Sequence, residues 1–90
     1  KDLYKIKKRI QKLIELRKNL AQQDNVESEL IMTKNKIYLL AIQAPQTVEE
    51  LRKLNLFGPI RLRKYSSFII DIFTKLENND INSPFLEETL

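Results

Sequence analysis

A small all-α bundle is the fold class this sequence predicts, and three observations predict it. Apolar residues recur at three- and four-residue steps over most of the chain, the period of a helix with one buried face. One glycine and three prolines in 90 residues leave too few tight turns for an all-β fold. Helix-start residues, Asp2, Thr33 and Thr47, stand directly ahead of periodic segments. The length suits a single domain over residues 1–90, with a core at 3–77 and an acidic tail at 78–90. A hydrophobic content of 42% supplies one modest core.

The first element spans 3–22. Leu3, Ile6, Ile10, Leu13, Ile14, Leu20 and Ala21 form its apolar stripe, and Asp2 is its N-cap. Arg17 lies beside that stripe, so its stem rests on the core and its guanidinium seeks a carbonyl or an acid. Gln23–Glu29 is polar and reads as a loop. Leu30, Ile31 and Met32 are too few for a useful helix and read as a buried extended or single-turn connector. Thr33 caps a helix over 34–43 with Ile37, Leu40 and Ala41 inward, ended by Pro45. Thr47-Val48-Glu49-Glu50 is a capping box. It opens a helix over 48–54 that buries Val48, Leu51 and Leu54.

Asn55–Pro59 reads as a tight turn, with Gly58 supplying the permissive backbone and Pro59 the first helical position. The last long helix, 59–77, carries Leu62, Tyr65, Phe68, Ile69, Ile72, Phe73 and Leu76 on a broad inward face. Ser83-Pro84 opens a final short helix at 84–89.

Several functions are excluded on residue types alone. With no Cys and no His, neither a disulfide scaffold, a zinc site nor Cys- or His-dependent catalysis is available. No phosphate-binding glycine-rich loop supports an ATPase. Ser66-Ser67 has no His to act as base. Glu49-Glu50 and Glu87-Glu88 sit at helix starts, where the dipole accounts for them. No apolar run reaches the roughly 20 residues of a membrane span. The N-terminal residues alternate Lys with apolar positions, unlike a signal peptide. The expectation is a soluble, intracellular, monomeric domain without metal or cofactor.

Charge is distributed unevenly. The chain is +4 overall. Residues 1–18 hold eight basic and two acidic groups, net +6, which leaves −2 for the remainder. At 100° per residue, Lys1, Lys5, Lys8 and Lys12 line up away from the apolar stripe. The stripe is either a solvated helix face or a contact for a phosphate backbone. Arg61, Arg63 and Lys64 open the last helix, and Lys34 and Lys36 open the second. Cations are unfavourable at the positive end of a helix dipole, so a bound anion is a motive for them. Tyr38 and Phe57 either stack on a base or pack on a neighbouring helix.

The ordered series Leu16-Arg17-Lys18-Asn19-Leu20-Ala21, Asn25-Val26, Leu30-Ile31-Met32-Thr33, Leu40-Ala41, Pro45-Gln46-Thr47-Val48-Glu49-Glu50-Leu51, Gly58-Pro59, Leu62, Lys64-Tyr65 and Phe68 resembles the HRDC (helicase and ribonuclease D C-terminal) domain over about 13–76. The resemblance implies a compact bundle of four to five helices. It implies a non-catalytic accessory module of a RecQ-type DNA helicase or a ribonuclease D-like exonuclease. Such a module assists engagement of single-stranded or branched DNA in repair and recombination, or docks on other domains of its parent enzyme. The setting implied is the bacterial cytoplasm or the eukaryotic nucleus. Two positions differ from the family pattern: Leu56 replaces the first glycine of the turn, and the loop after Asn25-Val26 is acidic (Glu27, Glu29). The candidate nucleic-acid contacts are therefore Lys5, Lys8, Lys12, Lys34, Lys36, Arg61, Arg63 and Lys64. Two function classes stay open: a weak, sequence-independent nucleic-acid binder and a protein-docking module. The placement of the basic stripe relative to the Arg61–Lys64 cluster separates them.

Overall fold

The chain folds as five helices in a computed structural model that describes residues 2–82, with side chains described through Glu77. They are α1 (Leu3–Asp24), α2 (Ser28–Ile31), α3 (Lys34–Gln43), α4 (Val48–Lys53) and α5 (Pro59–Asn82). The final helix expected at 84–89 lies outside the described residues.

Helix α1 starts where Asp2 accepts a hydrogen bond from the Lys5 N–H at 3.2 Å. It runs two residues past the expected end because its stop is Asn25, not Gln23. Asn25 adopts the left-handed region (φ 57°), which Asn tolerates better than most residues. The Asn25 and Val26 N–H groups then close on the carbonyls of Gln22 and Ala21, the paired bonds of a left-handed helix end. Most of the expected loop is thus helical: Ser28–Ile31 forms the single turn α2, which buries Ile31 and Met32 and leaves Leu30 exposed.

The other caps follow the sequence with two corrections. Thr33 accepts from Lys36 N–H and Thr47 from Glu50 N–H. The Glu50 carboxylate reaches back to the Gln46 N–H (2.8 Å), one residue earlier than a standard capping box. Before α5 the left-handed residue is Asn55 (φ 57°), while Gly58 has no positive φ. The reversal sits at the end of α4, where the asparagine provides it, and Pro59 begins α5 as expected. Helix α5 extends five residues beyond the expected end. Its polar Asn- and Asp-rich last turns are weak helix formers, but no Gly or Pro stops them before Pro84.

Leu13, Ile31, Met32, Ile37, Leu40, Leu51, Ile69 and Phe73 form the closed centre of the core. Five apolar residues expected inside are not, Leu30 on the single turn α2 among them. Leu3 and Ile14 lie at the edge of the α1 stripe and are exposed. Phe68 is 48% exposed because the buried line of α5 runs Tyr65, Ile69, Phe73, Leu76, and Phe68 is displaced by about 100° from its centre. Val48 is 42% exposed, since it begins a six-residue helix whose inward contact is made by Leu51.

Two arginines tie α1 to its neighbours. Arg9 donates to the Ala41 carbonyl at 3.0 Å and Arg17 to the Met32 carbonyl at 3.1 Å. Both acceptors lie at helix C-termini, where carbonyls lack intrahelical donors, and the Arg17 bond is the one its position predicts. Residue 9 meets 41 while 17 meets 32, so α1 and α3 run antiparallel. Asp24 meets Lys64, and Lys12 lines a depression with Asp71, Ile72, Lys75 and Leu76, so α1 and α5 are antiparallel too.

Leu13→Ala, which empties a site with no exposure, is expected to lower unfolding free energy by about 2–5 kcal/mol. Thr47→Ala, which removes a cap, is expected to cost about 1 kcal/mol. Urea denaturation of the two variants checks the ranking; a Leu13→Ala protein as stable as wild type contradicts this core.

Candidate nucleic-acid interface

The antiparallel arrangement of α1 and α5 decides where the candidate cations fall. The α1 C-terminus and the starts of α3 and α5 gather at one end of the bundle. The Lys36 ammonium stands 5.5 Å over the Phe57 ring, which joins the start of α3 to the turn leading into α5. Phe57 and Leu56 are half-buried against the core, so this aromatic packs on neighbouring residues and a cation. Tyr38 is exposed on α3. Neither α3 nor α5 has an acid in its first turn; Lys34, Lys36 and Arg61 stand there instead, with Lys64 in the second turn of α5.

Lys64 is engaged at this end. Its ammonium donates to an Asp24 carboxylate oxygen at 2.8 Å, and the Tyr65 hydroxyl donates to the same oxygen at 3.1 Å. The hydrogen bond from Lys64 holds the Asp24 carboxyl below its ordinary value, against an opposing desolvation; Tyr65 adds to the lowering. The same bond raises the Lys64 ammonium. Burial, followed by the bond to Asp24, raises the Tyr65 phenol. Arg61 acts electrostatically on Tyr65, which puts its charge on this side of α5.

Arg63 is not part of that group. It is 200° round the helix from Arg61 at 100° per residue, and it lines a separate depression between α4 and α5 with Arg52 and Ser66. The expected cluster of three is therefore split. The Lys5, Lys8 and Lys12 stripe is elsewhere again. Lys5 and Lys8 are half-buried, Lys8 lies 6.0 Å from the Tyr4 ring, and Lys12 is 3.8 Å from Glu15. From Lys12 to Asp24 the α1 axis advances about 18 Å, so the stripe and the Arg61–Lys64 group are well apart along the bundle.

Sequence reasoning missed Asp24 as the partner of Lys64, 40 residues away, and Arg52 as the neighbour of Arg63. No local signal marks either contact, because both depend on helix packing. The opposition of Arg61 and Arg63 was visible in helical periodicity alone.

Five helices, a left-handed Asn after α1 and a Pro-started last helix accompany a match of the HRDC domain family to residues 6–73. The chain belongs to the HRDC domain family. HRDC domains are non-catalytic and are typically accessory domains of helicases and of ribonuclease D-type enzymes. No curated protein and no solved structure matches the chain. Among the described residues of this HRDC domain, no helix is long and apolar enough to cross a membrane.

The Asp24 contact has a defined pH dependence. A carboxyl lowered on folding from 3.8 stabilises the fold above its unfolded value, and that contribution is lost as pH falls through the lowered value. The raised Lys64 ammonium contributes below its unfolded value of 10.5 and loses this only as pH rises through the higher folded value. Asp24→Asn is therefore expected to be less stable than wild type at neutral pH. The difference should shrink on acidification below about pH 4. Chemical denaturation across pH measures it; a gap independent of pH contradicts the ion pair.

Proposed function

We propose that this HRDC domain is an accessory module of a larger nucleic-acid enzyme of the RecQ helicase type, holding single-stranded or branched DNA weakly through phosphate contacts. The observation that carries this reading is the Lys36–Phe57 contact. It brings two acid-free helix starts, with Lys34, Lys36 and Arg61, to one end of the bundle. Unbonded N–H groups and side-chain cations there attract the same anion. Lys34, Lys36 and Arg61 at these helix starts suit phosphates, and contacts to the backbone position a strand without reading its sequence.

Protein docking within a parent helicase or ribonuclease D-like exonuclease is the second reading. It is favoured by exposed apolar residues: Ile60 is 75% exposed, and Tyr38, Leu39 and Ile42 stand out from α3. The distance between the two basic regions favours it as well.

Fluorescence anisotropy with labelled single-stranded and forked DNA tests the first reading. The expected affinity is on the order of 10 µM at low salt and falls steeply as salt rises. Lys34→Ala with Lys36→Ala, and Arg61→Ala alone, are expected to weaken binding several-fold. Lys8→Ala with Lys12→Ala should weaken it less, since that stripe supplies at most a secondary contact together with Lys5. Absence of binding at about 50 mM salt, or indifference to all of these substitutions, discards the DNA reading in favour of docking.

A further inference from the structure

The depression between α4 and α5 has a chemistry unlike the phosphate-facing end. Val48, Pro59 and Leu62 give it an aliphatic lining, which Arg52, Arg63 and the nearly buried Ser66 share. Arg63 is exposed and makes no ion pair among the described residues. Arg52 holds only Glu49, three residues away on its own helix and largely exposed. Such a pair contributes little and exchanges readily. Ser66 is only 9% exposed; its hydroxyl makes no hydrogen bond to a described residue and, since no buried side-chain oxygen there lacks a partner, it opens to water. A helical serine commonly bonds back to a carbonyl four residues earlier, as Thr74 does to Ile70. Ser66 does not, and its hydroxyl remains available in the depression that Arg52 and Arg63 also line.

We infer that this depression is a docking site for an acidic segment of a partner protein in which a carboxylate side chain neighbours an aliphatic one. Two guanidinium forks and a hydroxyl suit a carboxylate, which accepts several hydrogen bonds at once. The aliphatic lining then covers the neighbouring apolar side chain and removes it from water, together with the exposed part of Val48. A nucleic-acid strand uses the surface less fully: its phosphates could meet the arginines, but a sugar-phosphate backbone buries little apolar area on Val48, Pro59 and Leu62, whereas an aliphatic side chain does. The inference does not depend on DNA binding at the opposite flank of α5.

The test is an amide chemical-shift titration of the 90-residue chain with a synthetic peptide of alternating Glu and Leu. A second peptide, with Gln for Glu, is the control. The acidic peptide is expected to shift the amides of Val48, Arg52, Leu62, Arg63 and Ser66 while those around Lys36 and Arg61 stay in place. Arg52→Ala with Arg63→Ala should weaken it about five- to tenfold, and Ser66→Ala should weaken it less. Arg63→Glu should restore binding to a peptide carrying Lys for Glu, which guards against a variant that merely perturbs the fold. Equal binding of the Gln peptide, shifts confined to other surfaces, or single-stranded DNA shifting this set while the peptide does not, would each overturn the inference.

Discussion

One buried phenol sets the register on which the surfaces of this domain depend. Tyr65 is 3% exposed, and its hydroxyl reaches Asp24, the last residue of α1. Burial of the α1 and α5 apolar faces drives the helices together but is non-directional, so it leaves sliding along the axis weakly determined. A phenol that loses water needs a partner at a fixed place. By bonding Asp24 it aligns the end of α1 with the second turn of α5, and Lys64 then falls against the same carboxylate. The starts of α3 and α5 meet at that end because α2 and the left-handed Asn25 turn the chain back there.

The same register sorts the cations by role. Arg9 and Arg17 are taken up by orphan carbonyls at the ends of α3 and α2. Lys64 is held by an acid, Lys36 lies over a ring, and Arg61 remains on the outer side. Arg63 turns towards α4. A +4 chain therefore does not present one basic face. It presents a lysine stripe on the first half of α1, a bundle end where Lys34, Lys36 and Arg61 share the surface with Asp24, Glu27 and Glu29, and a separate arginine pair beside aliphatic groups, and these suit different ligands on general physical grounds.

What the sequence made legible was local. Asp2, Thr33, Thr47 and Pro59 were readable as helix starts because capping is satisfied within three or four residues of chain. Ile37, Leu40 and Ala41 were readable as core from their period. The helix after Asn25 and the left-handed Asn55 were not, because a polar run looks like a loop until its backbone conformation is known. The Asp24–Lys64–Tyr65 contact and the Arg52–Arg63 proximity were beyond reach, since each needs the rotation of two helices about one another. The grouping of Arg61 with Arg63 failed for a simpler reason: sequence neighbours two apart on a helix face away from each other.

The claim at the centre of this account is that Asp24 holds Lys64 at the bundle end proposed to meet phosphate. The most direct measurement is the salt dependence of single-stranded DNA binding by Asp24→Asn and wild-type protein. Released from its carboxylate, Lys64 becomes available to one further phosphate. The account predicts tighter binding by Asp24→Asn and a log–log salt slope steeper by about 0.7. An unchanged affinity and slope, with the variant still folded, would contradict it.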